Sequence, residues 1–289
     1  MTQIKTIPSF YEIFSFLELP DIKILDVGAS CIDGDPPYHK LKQSDKAIIY
    51  GFEPSPEEYK KLQQKENDKE IYLPYALGNG EIANLHICFA PGITSLLKPD
   101  FQVLYHFHGF PEWAKIMETE TIKTHRLDDI KEIDTVDYIK LDVQGSELDI
   151  INNGQNVVSN SLVIHTEVNF ISFYENQPLF AEIDIALRKL GFFLHTFLPI
   201  NKRVFKPLIV NNNIYAGINQ VMWADAVYVR SFMEFSSLSS EELIKIAIIL
   251  HDCYGSFDLA MLALQNLERK EESELDFVTF YLENISPYN

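Results

Sequence analysis

Apolar residues come along this chain in two rhythms. Short, nearly continuous runs at 24–28, 47–53, 70–77, 137–142 and 161–167 have the composition of strands buried on both faces. Between them the apolar spacing lengthens to that of a helix. Ser55-Pro56-Glu57-Glu58 predicts a helix start, with Ser55 as N-cap and Pro56 at the first position. Residues 147–153 predict another, and 178–190 carries Phe180, Ile183, Leu187 and Leu190 on one face before Gly191 ends it. A shorter helix is expected around 38–42, and one over 1–20 from Phe10, Ile13, Phe14 and Leu17, stopped by Pro20. The alternation predicts an α/β, doubly wound sheet. Residues 161–167 form its fifth parallel strand, and 192–198 and 220–230 two closing strands.

Two segments interrupt this rhythm. Gly78-Asn79-Gly80-Glu81 predicts a hairpin-type turn into a strand over 82–89, and 91–118 is a long insertion rich in aromatics and His before an extended run at 120–126. Long insertions inside α/β domains usually carry function. From residue 236 the pattern is helical only. Ser239-Ser240-Glu241-Glu242 is a capping box, Leu243, Ile246, Ala247 and Leu250 form an apolar stripe, and two further helices are expected over 257–267 and 272–282. The expected organisation is a domain over 1–235 followed by a helical C-terminal extension over 236–289.

At 289 residues the chain is long enough for a full core. Its 24 Lys and Arg against 42 Asp and Glu give a net charge of −18, which argues against nucleic acid as a partner, because a polyanion needs clustered cations. Cys31, Cys88 and Cys253 are widely spaced, odd in number and lack a Cys-x-x-Cys pair. They support neither a disulfide framework nor a zinc site and fit a reducing compartment. The first 19 residues lack the order of a signal peptide, and no window approaches the ~18 apolar residues of a membrane span. A cytoplasmic location without a membrane partner is therefore expected. Oligomeric state is left open, a homodimer included.

In a doubly wound sheet, ligands lie at the carboxyl ends of the strands. There the first run ends in Asp26-Val27-Gly28-Ala29-Ser30 and the second in Glu53. Gly28 lets the backbone pass close to a ligand, while Ala29 and Ser30 keep the turn narrow. The full Gly-x-Gly-x-x-Gly fingerprint is absent, which favours a nucleoside without a pyrophosphate. Glu53 is placed to accept hydrogen bonds from ribose hydroxyls.

Taken in order, several stretches resemble the signature set of FkbM-type methyltransferases over residues 22–230. They are Leu25-Asp26-Val27-Gly28-Ala29, Gly51-Phe52-Glu53-Pro54, Ala76-Leu77-Gly78, Thr94-Ser95-Leu96, Arg126-Leu127-Asp128-Asp129 and Tyr138-Ile139-Lys140-Leu141-Asp142-Val143-Gln144-Gly145-Ser146-Glu147. The resemblance implies a class I methyltransferase with a Rossmann-like sheet, S-adenosyl-L-methionine as cofactor, and O-methylation of a carbohydrate or small-molecule hydroxyl. It further implies Asp26 and Gly28 near the methionine part of the cofactor, Glu53 on the ribose, and Ala76 and Leu77 beside the adenine. One departure is Ser30-Cys31-Ile32-Asp33, where the family commonly has Asn and a nearby Gly.

Methyl transfer needs an acceptor held in line with the methyl group, and a base if that acceptor is a hydroxyl. Asp142 ends a strand where acceptor and cofactor should meet, which makes it a candidate base; the other reading is a cap for the following helix. Glu147 belongs either to the substrate pocket or to that helix's first turn. His165 and Glu167 share one strand face and are further catalytic candidates, set against a core His and a paired acid. Asp142, Glu167 and Asn169 would make an oxygen set for Mg²⁺, although most proteins of this fold need no metal. Ser95, His106, His108 and Trp113 are candidate substrate contacts of the insertion, the alternative being a packed insertion. Two His without a third ligand are weak evidence for a metal. Two other functions stay open: an N-methyltransferase with the same cofactor site, and a non-catalytic relative whose helical tail serves a partner.

Overall fold

The computed structural model describes residues 7–29, 34–271 and 275–285. Its strands are β1 (Ile22–Val27), β2 (Ala47–Phe52), β3 (Glu70–Leu73), β4 (Ala76–Leu77), β5 (Ile82–Cys88), β6 (Ile116–His125), β7 (Tyr138–Leu141), β8 (Val163–Asn169), β9 (Phe192–Lys202) and β10 (Val221–Arg230). The helices before β7 are α1 (Phe10–Ile13), α2 (His39–Gln43), α3 (Pro56–Gln63), α4 (Phe101–Leu104) and α5 (Phe110–Trp113). Those after it are α6 (Glu147–Asn153), α7 (Gln155–Asn160), α8 (Phe180–Lys189), α9 (Ser240–Tyr254), α10 (Phe257–Glu271) and α11 (Phe277–Asn284).

The main sheet has the order β3-β2-β1-β7-β8-β10-β9. From β3 to β8 the strands are parallel, and β10 runs antiparallel to β8 and β9. Strand order reverses between β1 and β7, which opens a crevice at their carboxyl ends. A smaller sheet, β4-β6-β5, branches off beside it.

Strand β1 shows why both faces of the sheet are covered. Ile22 and Ile24 point into one apolar core, Leu25 and Val27 into the other. The second core is closed by α6, α7 and α8 through Ile150, Ile151, Val158, Ile183 and Leu187. The first is closed by both ends of the chain: Phe10 of α1, Leu41 of α2, and Leu243, Ile246, Ile249, Leu264 and Tyr281 of the C-terminal helices. Those helices share their core with strand residues Ile49, Tyr138, Val163 and Val227. Residue 236 thus marks a change of element type, and the helices beyond it form one layer of the fold.

Polar contacts fasten the two ends together. The Phe10 amide donates to Asp252 Oδ1 at 3.0 Å. Burial pulls the His251 pKa down to about 4, so its ring is neutral. Since the Pro8 carbonyl only accepts, Nε2 donates to it at 2.8 Å and Nδ1 accepts from the Tyr281 hydroxyl at 2.8 Å.

Several elements differ from the sequence reading. Within 1–20, the described residues form one helical turn, α1, closed by a Ser9–Glu12 capping box. The run at 70–77 breaks at Pro74, which has no N–H to continue the ladder, into β3 and β4. Strand β5 pairs antiparallel with β6, and β6 lies between it and β4, so residues 78–81 do not join adjacent strands. The insertion carries α4 and α5 and a core of its own, with Leu104, Phe107, Phe110, Phe173 and Tyr174. Among the described residues no helix is long and apolar enough to cross a membrane.

If the C-terminal helices are a core layer, Ile246→Ala, at a fully buried position, should lower the unfolding free energy by about 2–5 kcal/mol in a urea titration. A loss well under about 1 kcal/mol would mean that α9 is a detachable appendage.

Candidate active site

The crevice is built by close approach of two turns. The Asp142 amide donates to the Val27 carbonyl at 3.1 Å. Gly28 follows at φ +84°, and a Cβ there would sit 2.1 Å from the Asp142 carbonyl oxygen, so only glycine fits. The Gly28 and Ala29 amides both donate to the Phe52 carbonyl, at 3.1 and 3.2 Å, which pins the first turn to the end of β2. Ser30, expected beside them, lies outside the described residues. Glu53 stands at the end of β2 with its Oε1 accepting from the Ser55 amide at 2.8 Å. Ser55 makes no side-chain cap; its contribution to the start of α3 is to aim Glu53. Ala76 and Leu77 are both buried in β4, and the Leu77 side chain belongs to the sheet core.

Beneath Gly28 runs a polar row set by strand register, in which Asp26 pairs with Lys140 and Lys140 with His165. Lys140 Nζ lies 3.2 Å from Asp26 Oδ1 and 3.7 Å from Asp142 Oδ2. Tyr38 donates to the other Asp26 oxygen at 2.5 Å. Burial works against the ammonium, but Asp26 and Asp142 more than offset it and hold the Lys140 pKa above the ordinary lysine value. His165 is buried under α9: Tyr254 stacks on its ring and its hydroxyl lies 3.2 Å from Nδ1, while Nε2 lies 3.8 Å from Asp225. Both ring nitrogens therefore face groups of the fold.

Asp142 differs from its neighbours in access. Its side chain is 32% exposed, against 4% for Asp26. The turn after it passes through Gln144 and Gly145, both in the left-handed region at φ +58° and +105°. Glu147 is buried and accepts from the Val143 amide at 3.1 Å and from the Gly145 amide at 3.0 Å. Burial, partly countered by those amides, pushes its pKa up to about 7. Its hydrogen bonds build the turn at the start of α6. Ser95 is likewise committed, its hydroxyl donating to the Gln144 carbonyl at 2.6 Å. Glu167 receives the Asn169 amide nitrogen at 3.2 Å. Burial, then the nearby Asp142 and Glu147, push the Glu167 carboxyl well above the ordinary carboxylate range.

The oxygen set expected for Mg²⁺ is not assembled as such, since Asn169 turns its nitrogen towards Glu167. No cluster of three or more His, Cys, Asp or Glu side chains fit to hold a metal ion occurs among the described residues.

The insertion meets the turn through Ser95 and Leu97, and the Ile93 carbonyl meets the Tyr174 hydroxyl beside it. His106 is exposed on the rim of a separate cavity of about 400 Å³ that Asp100, Phe107, Phe205 and Gln220 also line. His108 is half-buried, and Trp113 stacks on Tyr215 with centroids 5.6 Å apart.

A family model described as a methyltransferase FkbM domain matches residues 26–194, more than half of the chain. The chain belongs to the FkbM methyltransferase family. It is 30% identical over 185 residues to the 2-O-methyltransferase NoeI of Sinorhizobium fredii (strain NBRC 101917 / NGR234), a match covering 60% of this chain and 74% of that protein. Among solved structures it is similar to the methyltransferase FkbM from Methylobacillus flagellatus KT, with 13% identity, 74% of this chain and 45% of that one covered, and a TM-score of 0.41. It is also similar to the magnesium protoporphyrin IX methyltransferase ChlM from Synechocystis PCC 6803, with 12% identity, 76% and 75% covered, and a TM-score of 0.38. The sheet is that of a class I methyltransferase, and the protein is an S-adenosylmethionine-dependent enzyme.

Sequence reasoning missed Lys140, Gln144, Asp225 and Tyr254. A lysine inside an otherwise apolar strand was the one visible signal, because a buried ammonium demands carboxylate partners.

The raised Glu147 pKa has a definite sign. The folded state holds the proton more tightly than the unfolded chain, so this group's stabilising contribution is full below the ordinary glutamate pKa and is lost as pH rises through about 7. Glu147→Gln should be less stable overall but show a smaller fall in melting temperature between about pH 5 and 8. An unchanged slope would show that Glu147 does not titrate in this window.

Proposed function

We propose that this methyltransferase acts on a hydroxyl group of a sugar or other small hydroxylated molecule. The observation that carries the reading is the Asp142 carboxylate, the accessible acid at the crevice between β1 and β7, braced by Lys140 and Gln144. The 30% identity to a 2-O-methyltransferase supports the same acceptor chemistry.

The residues fit the cofactor. Glu53, aimed by the Ser55 amide, would hold the ribose hydroxyls, and the Gly28–Ala29 turn would lie along the methionine part. Asp26 braces that turn from below, with both its oxygens engaged by Lys140 and Tyr38. Ala76 and Leu77 would border the adenine from the sheet edge. S-adenosylmethionine supplies an electrophilic methyl group on a sulfonium.

Asp142 would orient the acceptor hydroxyl by accepting its hydrogen bond and take its proton as the oxygen bonds to the methyl carbon and the carbon–sulfur bond breaks, that electron pair staying on the sulfur of the departing S-adenosylhomocysteine. Positioning lowers the barrier by fixing the line of attack, and a well-placed base adds about 10²–10⁴ in rate. His165 lies beneath, beside Lys140 in register and with its ring against Tyr254 and Asp225.

Glu53→Ala should raise the Kd for S-adenosylhomocysteine at least about 10-fold in calorimetric titration, given the strength of hydrogen bonds to a charged group. Unchanged affinity removes Glu53 from the ribose. With labelled S-adenosylmethionine and a panel of neutral mono- and oligosaccharides, Asp142→Asn should cut turnover by about 10²-fold or more. Turnover near wild type would point to an acceptor that needs no base, such as an amine.

A further inference from the structure

Gln144 sits in the left-handed region at φ +58°, where a residue bearing a Cβ is strained. Two contacts hold it there. The Ser95 hydroxyl donates to its carbonyl at 2.6 Å, and the Tyr174 hydroxyl, itself 3.2 Å from the Ile93 carbonyl, lies 3.2 Å from its Oε1. Ser95 and Tyr174 are both buried, so the clamp is rigid.

With its oxygen end held by Tyr174, the amide nitrogen is left between two carboxylates. It lies 3.1 Å from Asp142 Oδ1 and 3.5 Å from Glu167 Oε2. A primary amide has two N–H donors, and two acid oxygens stand within their reach.

The surroundings of the pair are uneven. Lys140 of β7 faces the other Asp142 oxygen. Glu147 of α6 and Tyr174 of the loop after β8 face both acids, while Asp225 of β10 and Asn169 of β8 face Glu167. The shorter amide contact and the Lys140 ammonium are thus on Asp142, and hydrogen bonds to a charged form favour that form.

We propose that Gln144 is a positioning residue whose amide bridges Asp142 and Glu167 and makes Asp142 the anion of the pair. The pair then shares one negative charge, and that charge stands on the acid open to the acceptor. This inference rests on the reading of Asp142 as the base, and it adds a device that selects one acid from two neighbours.

A carboxyl ¹³C NMR titration of the full-length protein reads the charge sharing without any acceptor, with signals assigned through Asp142→Asn and Glu167→Gln. In Gln144→Leu the Asp142 midpoint should rise by about one pH unit or more, because the donors that favour its anion are gone. Tyr174→Phe keeps the ring but frees the amide, and should move the midpoint in the same direction by less. Binding of S-adenosylhomocysteine should be unchanged in both variants, which shows that they fold. An Asp142 midpoint that stays at the wild-type value in both overturns the proposal. If the midpoint moves but the acid limb of the kcat–pH profile with the saccharide panel does not follow, the bridge stands and Asp142 is not the base.

Discussion

One buried cation, the Lys140 ammonium, joins the two halves of the crevice. It lies on β7 beside Asp26 of β1 and below Asp142, at the point where strand order reverses. An isolated charge at that depth is prohibitively costly, whereas an ammonium between two carboxylates is tolerated. The requirement runs both ways. Lys140 needs both acids, and Asp26, at 3% exposure, has one oxygen beside Lys140 and the other on the Tyr38 hydroxyl. Because β1 leads into the Gly28–Ala29 turn and β7 into the Asp142–Gly145 turn, this ion cluster fixes their relative placement.

Acids crowd this end of the sheet, and the structure settles each in a different way. Asp26 is neutralised by a cation and a phenol. Glu147 is wrapped in backbone amides. Glu167 favours its protonated form through burial and like-charged neighbours. Asp142 keeps partial access to solvent. Four carboxyls so close together would otherwise repel one another; their separate environments leave one of them fit to act on a substrate.

The sequence made much of this visible. Apolar runs that end in Gly28, Glu53 and Asp142 announce the parallel strands that lie side by side as β1, β2 and β7. What stayed hidden depends on contacts between distant residues. That Lys140 meets Asp26 follows from register, which no local pattern states. That Gln144 adopts a left-handed conformation follows from Ser95 and Tyr174, which lie 49 and 30 residues away. The stripe on α9 showed that a face is covered but not by what, and the break at Pro74 looked like a continuous strand because its neighbours are apolar. His106 and Trp113 stand out by residue type, yet Ser95 and Leu97 are the residues of the insertion that reach the turn.

The joining of the two chain ends has a consequence for synthesis. Phe10 is tied to Asp252 across 242 residues of sequence, and Tyr254 closes over His165 from the end of α9. Phe10 of α1 and Leu41 of α2 cover part of this face of the sheet, and the rest is closed only by the C-terminal helices. Contacts this distant make folding slow and late, and a partly made chain exposes Ile24, Ile49, Val163 and Val227 to whatever is nearby. A chain ended before α9 would lack both the Asp252 tie to Phe10 and the Tyr254 cover over His165.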